Sequence, residues 1–373
     1  MKIKISNAHV HHLQAPIENK VKTSFGVMDF RDAVFILIED DSGFQGIGES
    51  WVNFPSWAPW ERVVAFEKAF IPYLKERKID CIPSFIENMA KVFRGPALQS
   101  GTLGPYLQSI CAVEMALWDL AAKMENLPLN KLLFENPASK IRLYGSGINS
   151  PILWRVIDEH LKKGISLYKL KLGFGDEEDL KNLRDLSKHL GNSASIAVDV
   201  NRGWNIDKTL EWLDILKDFN VQWLEEPLII EDEDKLGILH ERKIVNIAGG
   251  ENMFIEPGCD IEHFADAPLD IFQPDITKYC CLHDAIRLLN AVKVRGKKLF
   301  PHFLGSAPGQ AASFHLASGC GGDCPMEWDI NANPLRTALF KEPFEIKDGV
   351  VEIPYGPGIG WNLDFEVIER LSV

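Results

Sequence analysis

The stretch "ISLYKLKLGFG" (165–175) decides how this chain is read. At its centre Leu167, Lys169 and Lys171 alternate with Tyr168, Leu170 and Leu172. A period of two is that of a β-strand, and Gly173 and Gly175 mark its end. Lys169 and Lys171 then share one face, about 7 Å apart. Two ammonium groups that close repel each other, so the pair needs a reason.

The reason lies in the neighbouring segments. Short apolar runs recur: "IRLYGSG" (141–147), "LYKLKLG" (167–173), "SIAVDVN" (195–201) and "VQWLEEP" (221–227). "IVNIAGGE" (244–251), "LDIFQPD" (269–275), "KLFPH" (298–302) and "CPMEWD" (324–329) follow. Amphipathic helical patterns such as "DKTLEWLDILKDF" and "LHDAIRLLNAVKV" separate them. Strand–helix alternation at this pitch predicts βαβ units and a parallel sheet. Lys171, Asp199, Glu225, Glu251, Asp275, His302 and Glu327 succeed one another at intervals of 24 to 28 residues. An ionisable residue near the end of each strand, in phase with the repeat, is the pattern of a TIM-type (β/α) barrel of seven to eight units. An open doubly wound sheet is the rival. It normally carries GxGxxG after its first strand, and "GSGINS" does not supply it.

The barrel is expected over 126–335. Residues 1–125 read as an α+β capping domain, with strands at 2–14 and 33–40 and a helix over 109–124. "APIENKVKTSFGVMDFRD" (15–32) reads as a long loop between the two strands. The tail, 336–373, fits no further βα unit. It is expected to form a hairpin and a turn and return to the capping domain.

Composition narrows the function. The 373 residues are 46% hydrophobic and 25% charged, as in ordinary globular proteins. The net charge of -13 argues against a nucleic-acid partner. No apolar run is long enough to span a bilayer, and no leader pattern opens the chain, so a cytoplasmic protein is expected. The seven cysteines include no CxxC pair, which speaks against a zinc knuckle or disulfide framework.

Asp199, Glu225 and Glu251 end three successive strands about 4.8 Å apart. Three converging carboxylates need a cation, and an all-oxygen set favours Mg²⁺. Lys171, crowded by Lys169 and a divalent ion, is expected to have a lowered pKa and act as a base. Lys169 is expected to stay charged and hold a carboxylate. His302 oriented by Asp275 makes an acid/base pair. Glu327, if protonated, would donate a hydrogen bond to a developing oxyanion. Asn201, two residues past Asp199, is a candidate for a substrate oxygen or for a loop cap. Glu226 points away from Glu225 and is read as structural.

Together these residues resemble the enolase superfamily, in its mandelate racemase subgroup. The likeness is carried by Lys169-x-Lys171, "DVN", "EEP", "GGEN", "QPDIT", "PH" and "MEWD", with "AVEMALWDLAAK" and the tail "PGIG". It covers nearly the whole chain. As is established for that superfamily, it implies one Mg²⁺ per subunit, a small carboxylate substrate, and removal of the proton α to that carboxylate to give an enediolate. Relatives with lysine at the Asp275 position use a Lys–Lys pair instead. Tyr279-Cys280-Cys281 departs from the glycines usual after the sixth strand. A homo-oligomer is also implied.

The loops 22–31 and 50–60 are expected to close over the barrel and set specificity. Lys22, Arg31, Asn53 and Arg94 are the candidates for contacting substrate hydroxyls or a second carboxylate. Two reactions fit one residue set: dehydration of an acid sugar to a 2-keto-3-deoxy acid, and racemisation or epimerisation between Lys171 and His302. A binding protein on the same scaffold would lack a base or ligand, and none is missing.

Overall fold

The computed structural model describes all residues except 1, 24–25 and 322–323, and leaves aside the side chains of residues 18, 19, 22 and 23. Two sheets organise the chain. The first is antiparallel, in the order β3-β2-β1-β4. Its strands are β1 (Ile3–Thr23), β2 (Gly26–Asp40), β3 (Gln45–Ser50) and β4 (Lys78–Ile79).

The expected loop at 15–32 is strand over 15–23 and 26–32 instead, and residues 24–25 lie outside the described residues. β1 and β2 stay paired from Ile5↔Asp40 to Thr23↔Gly26, with a register shift between Pro16 and Val21. Proline and the run Glu18-Asn19-Lys20 hide the alternation in the sequence. Antiparallel pairing with β2 supplies the hydrogen bonds that alternation alone did not announce. The sheet packs on helix Leu103–Met124, which is buried almost all round.

The second sheet holds the repeat. Its parallel strands are β5 (Lys140–Ile148), β6 (Leu167–Lys171), β7 (Ser195–Asp199), β8 (Val221–Glu225), β9 (Asn246–Gly249), β10 (Ile271–Phe272), β11 (Lys298–Leu299) and β12 (Met326–Asp329). They follow one another in chain order from β5 to β11, and β12 pairs back onto β5. All eight expected strands are present, and the fold is a TIM-type barrel with a capping domain. Several strands are shorter than their apolar runs. Glu251, Asp275 and His302 therefore lie in the loops just past β9, β10 and β11, while Lys171, Asp199, Glu225 and Glu327 stand on strands. Gly250 at φ +127 ends β9, and Pro274, which lacks an N–H, follows β10.

The tail differs in part from a free hairpin. β13 (Val350–Glu352) adds antiparallel to β5. The chain then returns to β1, where Ser372 bridges Leu13 and the Val373 N–H donates to the His12 carbonyl at 3.0 Å. Cys280 and Cys281 are buried, as expected of small apolar side chains. Among the described residues no helix is long and apolar enough to cross a membrane.

The cap meets the barrel through buried carboxylates. Glu114, on helix Leu103–Met124, accepts from the His283 N–H at 3.3 Å, at the start of helix Leu282–Val294. Burial pushes its carboxyl up to about 8, with Asp284 adding to the rise. A carboxyl raised on folding contributes stability that is lost as pH rises from its unfolded value near 4.5 through about 8. Glu114→Gln is therefore expected to gain on the native chain across that window, by about 1.4 kcal/mol for each pH unit crossed. Urea melts of both chains at pH 5 and pH 8 check this. A constant difference between them would refute it.

Candidate active site

Lys171 and Asp199 are opposed residues of the β6–β7 ladder, and Asp199 and Glu225 of the β7–β8 ladder. Register alone thus lines up Lys171, Asp199 and Glu225 at the barrel mouth. Just beyond, the backbone turns sharply. Asn201, Arg202 and Glu226 adopt positive φ (44°, 61° and 43°), a strained region for residues other than glycine.

Each acid is turned to a cationic side chain. Lys171 Nζ lies 2.9 Å from Asp199 Oδ2. Lys169 Nζ lies 2.5 Å from Glu225 Oε1 and 2.8 Å from Glu327 Oε1. His302 Nε2 lies 2.6 Å from Glu251 Oε2, and its Nδ1 lies 2.8 Å from Asp275 Oδ2. Asp275 is held in turn by the N–H (2.8 Å) and hydroxyl (2.6 Å) of Thr277. Lys169, Asp199, Glu225, Asp275 and Glu327 are all 1–2% exposed.

Three electrostatic details differ from expectation or refine it. Burial and Lys169 lower the Lys171 pKa, but Asp199 and Glu251 together outweigh them, so the chain's own groups shift it upward, and the lowering expected of Lys171 belongs to a site whose acids hold a divalent cation. Burial likewise opposes the charge on His302, yet Glu251 and Glu327 raise its pKa well above 6.5. Burial would protonate Glu327, but Lys169 and His302 hold it down at about 2. Glu327 is therefore ionised and accepts the Phe303 N–H at 3.2 Å. The protonated form in which it would donate to an oxyanion is disfavoured by Lys169 and His302.

The remaining candidates are placed as follows. Asn201 Oδ1 accepts from Lys171 at 2.7 Å, and its N–H caps Asp199 at 2.8 Å. Asn53 donates to the Leu304 carbonyl, two residues past His302. Arg31 is buried and paired with Asp329 at 2.7 Å, so its charge is committed to the cap–barrel interface. Arg94 is exposed and paired with Glu256 at 2.9 Å. Lys22 pairs with Val27 in the β1–β2 hairpin, and its side chain lies outside the described residues. Glu226 is buried, its carboxylate taking both oxygens' bonds from Asn252 Nδ2 at 2.9 Å.

Sequence reading missed several supports. Trp223 Nε1 (3.0 Å) and Gln273 Nε2 (2.6 Å) both donate to Glu225 Oε2. Both signals lay inside quoted motifs, in "VQWLEEP" and "QPDIT". Lys278 is buried, 2.7 Å from Asn252 Oδ1 and 4.8 Å from the Trp51 ring centre. Nothing in the repeat singled it out.

The donor set fits a divalent cation by charge. Five carboxylates (Asp199, Glu225, Glu251, Asp275, Glu327) face four cations (Lys169, Lys171, a protonated His302, and Lys278, which lies 3.7 Å from Glu251), which leaves one negative charge. Among the described residues no three acids or histidines already converge as a ready set of ligands. The acids rest on the neighbouring ammonium and imidazolium groups instead.

The cap's first sheet and the barrel both match family models. Residues 5–133 match the mandelate racemase/muconate lactonizing enzyme N-terminal domain, and 155–367 match the enolase C-terminal domain-like family. The chain belongs to the enolase superfamily, in its mandelate racemase subgroup. This enzyme is 26% identical to the D-galactarolactone cycloisomerase of Agrobacterium fabrum, over all of its own length and 99% of the relative's. It is 28% identical to the arabinonate dehydratase of Saccharolobus solfataricus, over 92% and 95% of the two chains. Among solved structures, a mandelate racemase/muconate lactonizing enzyme from Bordetella bronchiseptica RB50 superposes with TM-score 0.90, at 28% identity and full coverage of both chains. A racemase from Streptomyces coelicolor A3(2) with bound magnesium superposes at 0.84, with 26% identity and 99% and 100% coverage.

Proposed function

We propose that this enzyme removes the proton α to a carboxylate in an acid sugar and expels the β-hydroxyl, yielding a 2-keto-3-deoxy acid. One observation carries the reading. A row of three acids is flanked by Lys171 at the Asp199 end and by His302 at the Glu251 end. Two proton-transfer groups thus bracket one row of acids, Lys171 from strand β6 and His302 from the loop past β11. The resemblance to an arabinonate dehydratase supports the elimination.

Asp199, Glu225 and Glu251 would hold Mg²⁺, one ion per subunit. The ion would supply electrophilic stabilisation of the substrate carboxylate as negative charge develops on it. With Asp199 and Glu251 engaged by the cation, Lys171 and His302 would lose the carboxylates that favour their charged forms, and one of them, neutral, would take the α-proton. His302, whose Nδ1–H is fixed by Asp275, then protonates the leaving hydroxyl through Nε2. Lys169 neutralises Glu225 and Glu327 and keeps that side of the row rigid. Asn201 orients Lys171. Asn53, Arg31, Arg94 and Lys22 remain the cap residues through which substrate length would be sensed, Arg31 and Arg94 only by exchanging their present partners. The molecule is proposed to work in the cytoplasm as a homo-oligomer, on a small-molecule carboxylate, without nucleic acid or membrane.

Racemisation or epimerisation is the second reading, because Lys171 and His302 bracket the same row. It needs no β-leaving group. A panel of acid sugars and 2-hydroxy acids with Mg²⁺ in D₂O separates the two. Keto-acid formation is the expected result. Deuterium uptake with inversion and no keto acid would replace dehydration by racemisation. Chelation should abolish turnover and Mg²⁺ should restore it; turnover that persists in excess chelator would remove the metal from the reading.

A further inference from the structure

The cap segment that ends β3 touches both loops that carry the His302–Asp275 pair. Glu49 is 2% exposed and accepts three hydrogen bonds from the barrel. They come from the Ser306 N–H (2.7 Å), the Ser306 hydroxyl (2.7 Å) and the Gly309 N–H (2.8 Å). Those groups open helix Ala307–Cys320, a few residues past His302. The fit leaves no space. A Cβ on Gly305 would stand 2.7 Å from Glu49 Oε1, and one on Gly309 would stand 2.9 Å from Oε2. Asn53 pins the same loop through the Leu304 carbonyl.

The other member of the pair is reached as directly. The Trp51 N–H donates to the Thr277 carbonyl at 2.9 Å. Thr277 in turn gives both its N–H and its hydroxyl to Asp275 Oδ1. One short cap segment therefore grips the peptide beyond His302 and the residue that aims Asp275.

We infer that Glu49–Asn53 is a positioning element for the His302–Asp275 pair, so that seating of the cap sets the orientation of the imidazole. The inference rests on reading that pair as the acid/base dyad. In this role the segment touches no reacting atom and acts through the two loops. Proton transfer tolerates little misplacement: a shift of about 1 Å costs on the order of 10²-fold in rate.

The test uses the full-length chain with ¹⁵N-labelled histidine, in Mg²⁺. The His302 ring signals are assigned by their loss in His302→Asn. In the native chain one set of signals is expected, with Nδ1 protonated and bonded. Asn53→Ala removes one contact at a half-buried site and is expected to fold. Glu49→Gln keeps the shape but turns an amide toward backbone donors. Both are expected to shift or double the His302 signals while their unfolding transitions stay cooperative. For any acid the native chain turns over, Glu49→Gln should lower kcat about 10²-fold with KM within about twofold. His302 signals that stay put in both folded variants would overturn the inference. If no acid of the panel exchanges its α-proton in the native chain, the proposed function fails, while the ring spectra still decide the positioning role.

Discussion

Replacing His302 by asparagine should lower keto-acid formation by about 10²–10⁴-fold, the usual worth of a placed general acid or base. The size follows from where the imidazole sits. It bridges Asp275 (2.8 Å) and Glu251 (2.6 Å) and is itself only 7% exposed, so water is a poor substitute. Asparagine keeps a polar tip but cannot exchange a proton with substrate near pH 7. Lys171→Ala should cause a comparable loss through the other end of the acid row. The two variants differ in what they keep. With Lys171 intact, His302→Asn should still exchange deuterium at the carbon that Lys171 reaches. Turnover and exchange both at native levels in both variants would refute the site assignment as a whole.

Lys169→Met should be the most destabilising single change at the site, by about 3–5 kcal/mol at pH 7 without added metal. Lys169 lies within 2.8 Å of Glu225 and Glu327 and 3.9 Å of Asp199, and all four are buried. Methionine fills the space but leaves carboxylates unpaired in a low-dielectric interior, the situation in which breaking a buried pair costs most. Without the ammonium, burial pushes the folded pKa values of Glu225 and Glu327 above their unfolded ones. Their folded forms are therefore favoured below the unfolded value and penalised as pH rises. The deficit should narrow toward pH 4 and widen toward pH 8. Mg²⁺ should raise the melting temperature of Lys169→Met more than that of the native chain, since a cation then replaces the missing charge. A deficit below about 1 kcal/mol in urea melts, well short of the cost of breaking a buried pair, would sink this account.

Local interactions leave a pattern in the sequence and distant ones do not. The barrel was legible because each strand must bury an apolar run, and a polar residue recurs where each run meets the mouth. That pattern alone put Lys169, Lys171, Asp199, Glu225, Glu251, Asp275, His302 and Glu327 in one ring. The β1–β2 hairpin was hidden because its middle third is polar and interrupted by Pro16. Its strands are specified by the partner strand rather than by their own pattern. Glu49 and Glu114 were passed over because a carboxylate on a strand end or helix looks like surface charge. Only docking of cap on barrel buries them.

What the sequence by itself determined is the list of chemical groups and their phase along the barrel, since strand period and repeat length are one-dimensional quantities. What only the tertiary structure decided is how those groups are charged and aimed. Asp199 and Glu251 shift Lys171 upward against burial, Lys169 and His302 shift Glu327 downward against it, and Arg31 is spent on Asp329. Those outcomes depend on distances of about 2.5–3 Å between residues dozens to hundreds of positions apart. Coulomb energy and desolvation are set by such distances and by burial, neither of which a linear pattern records.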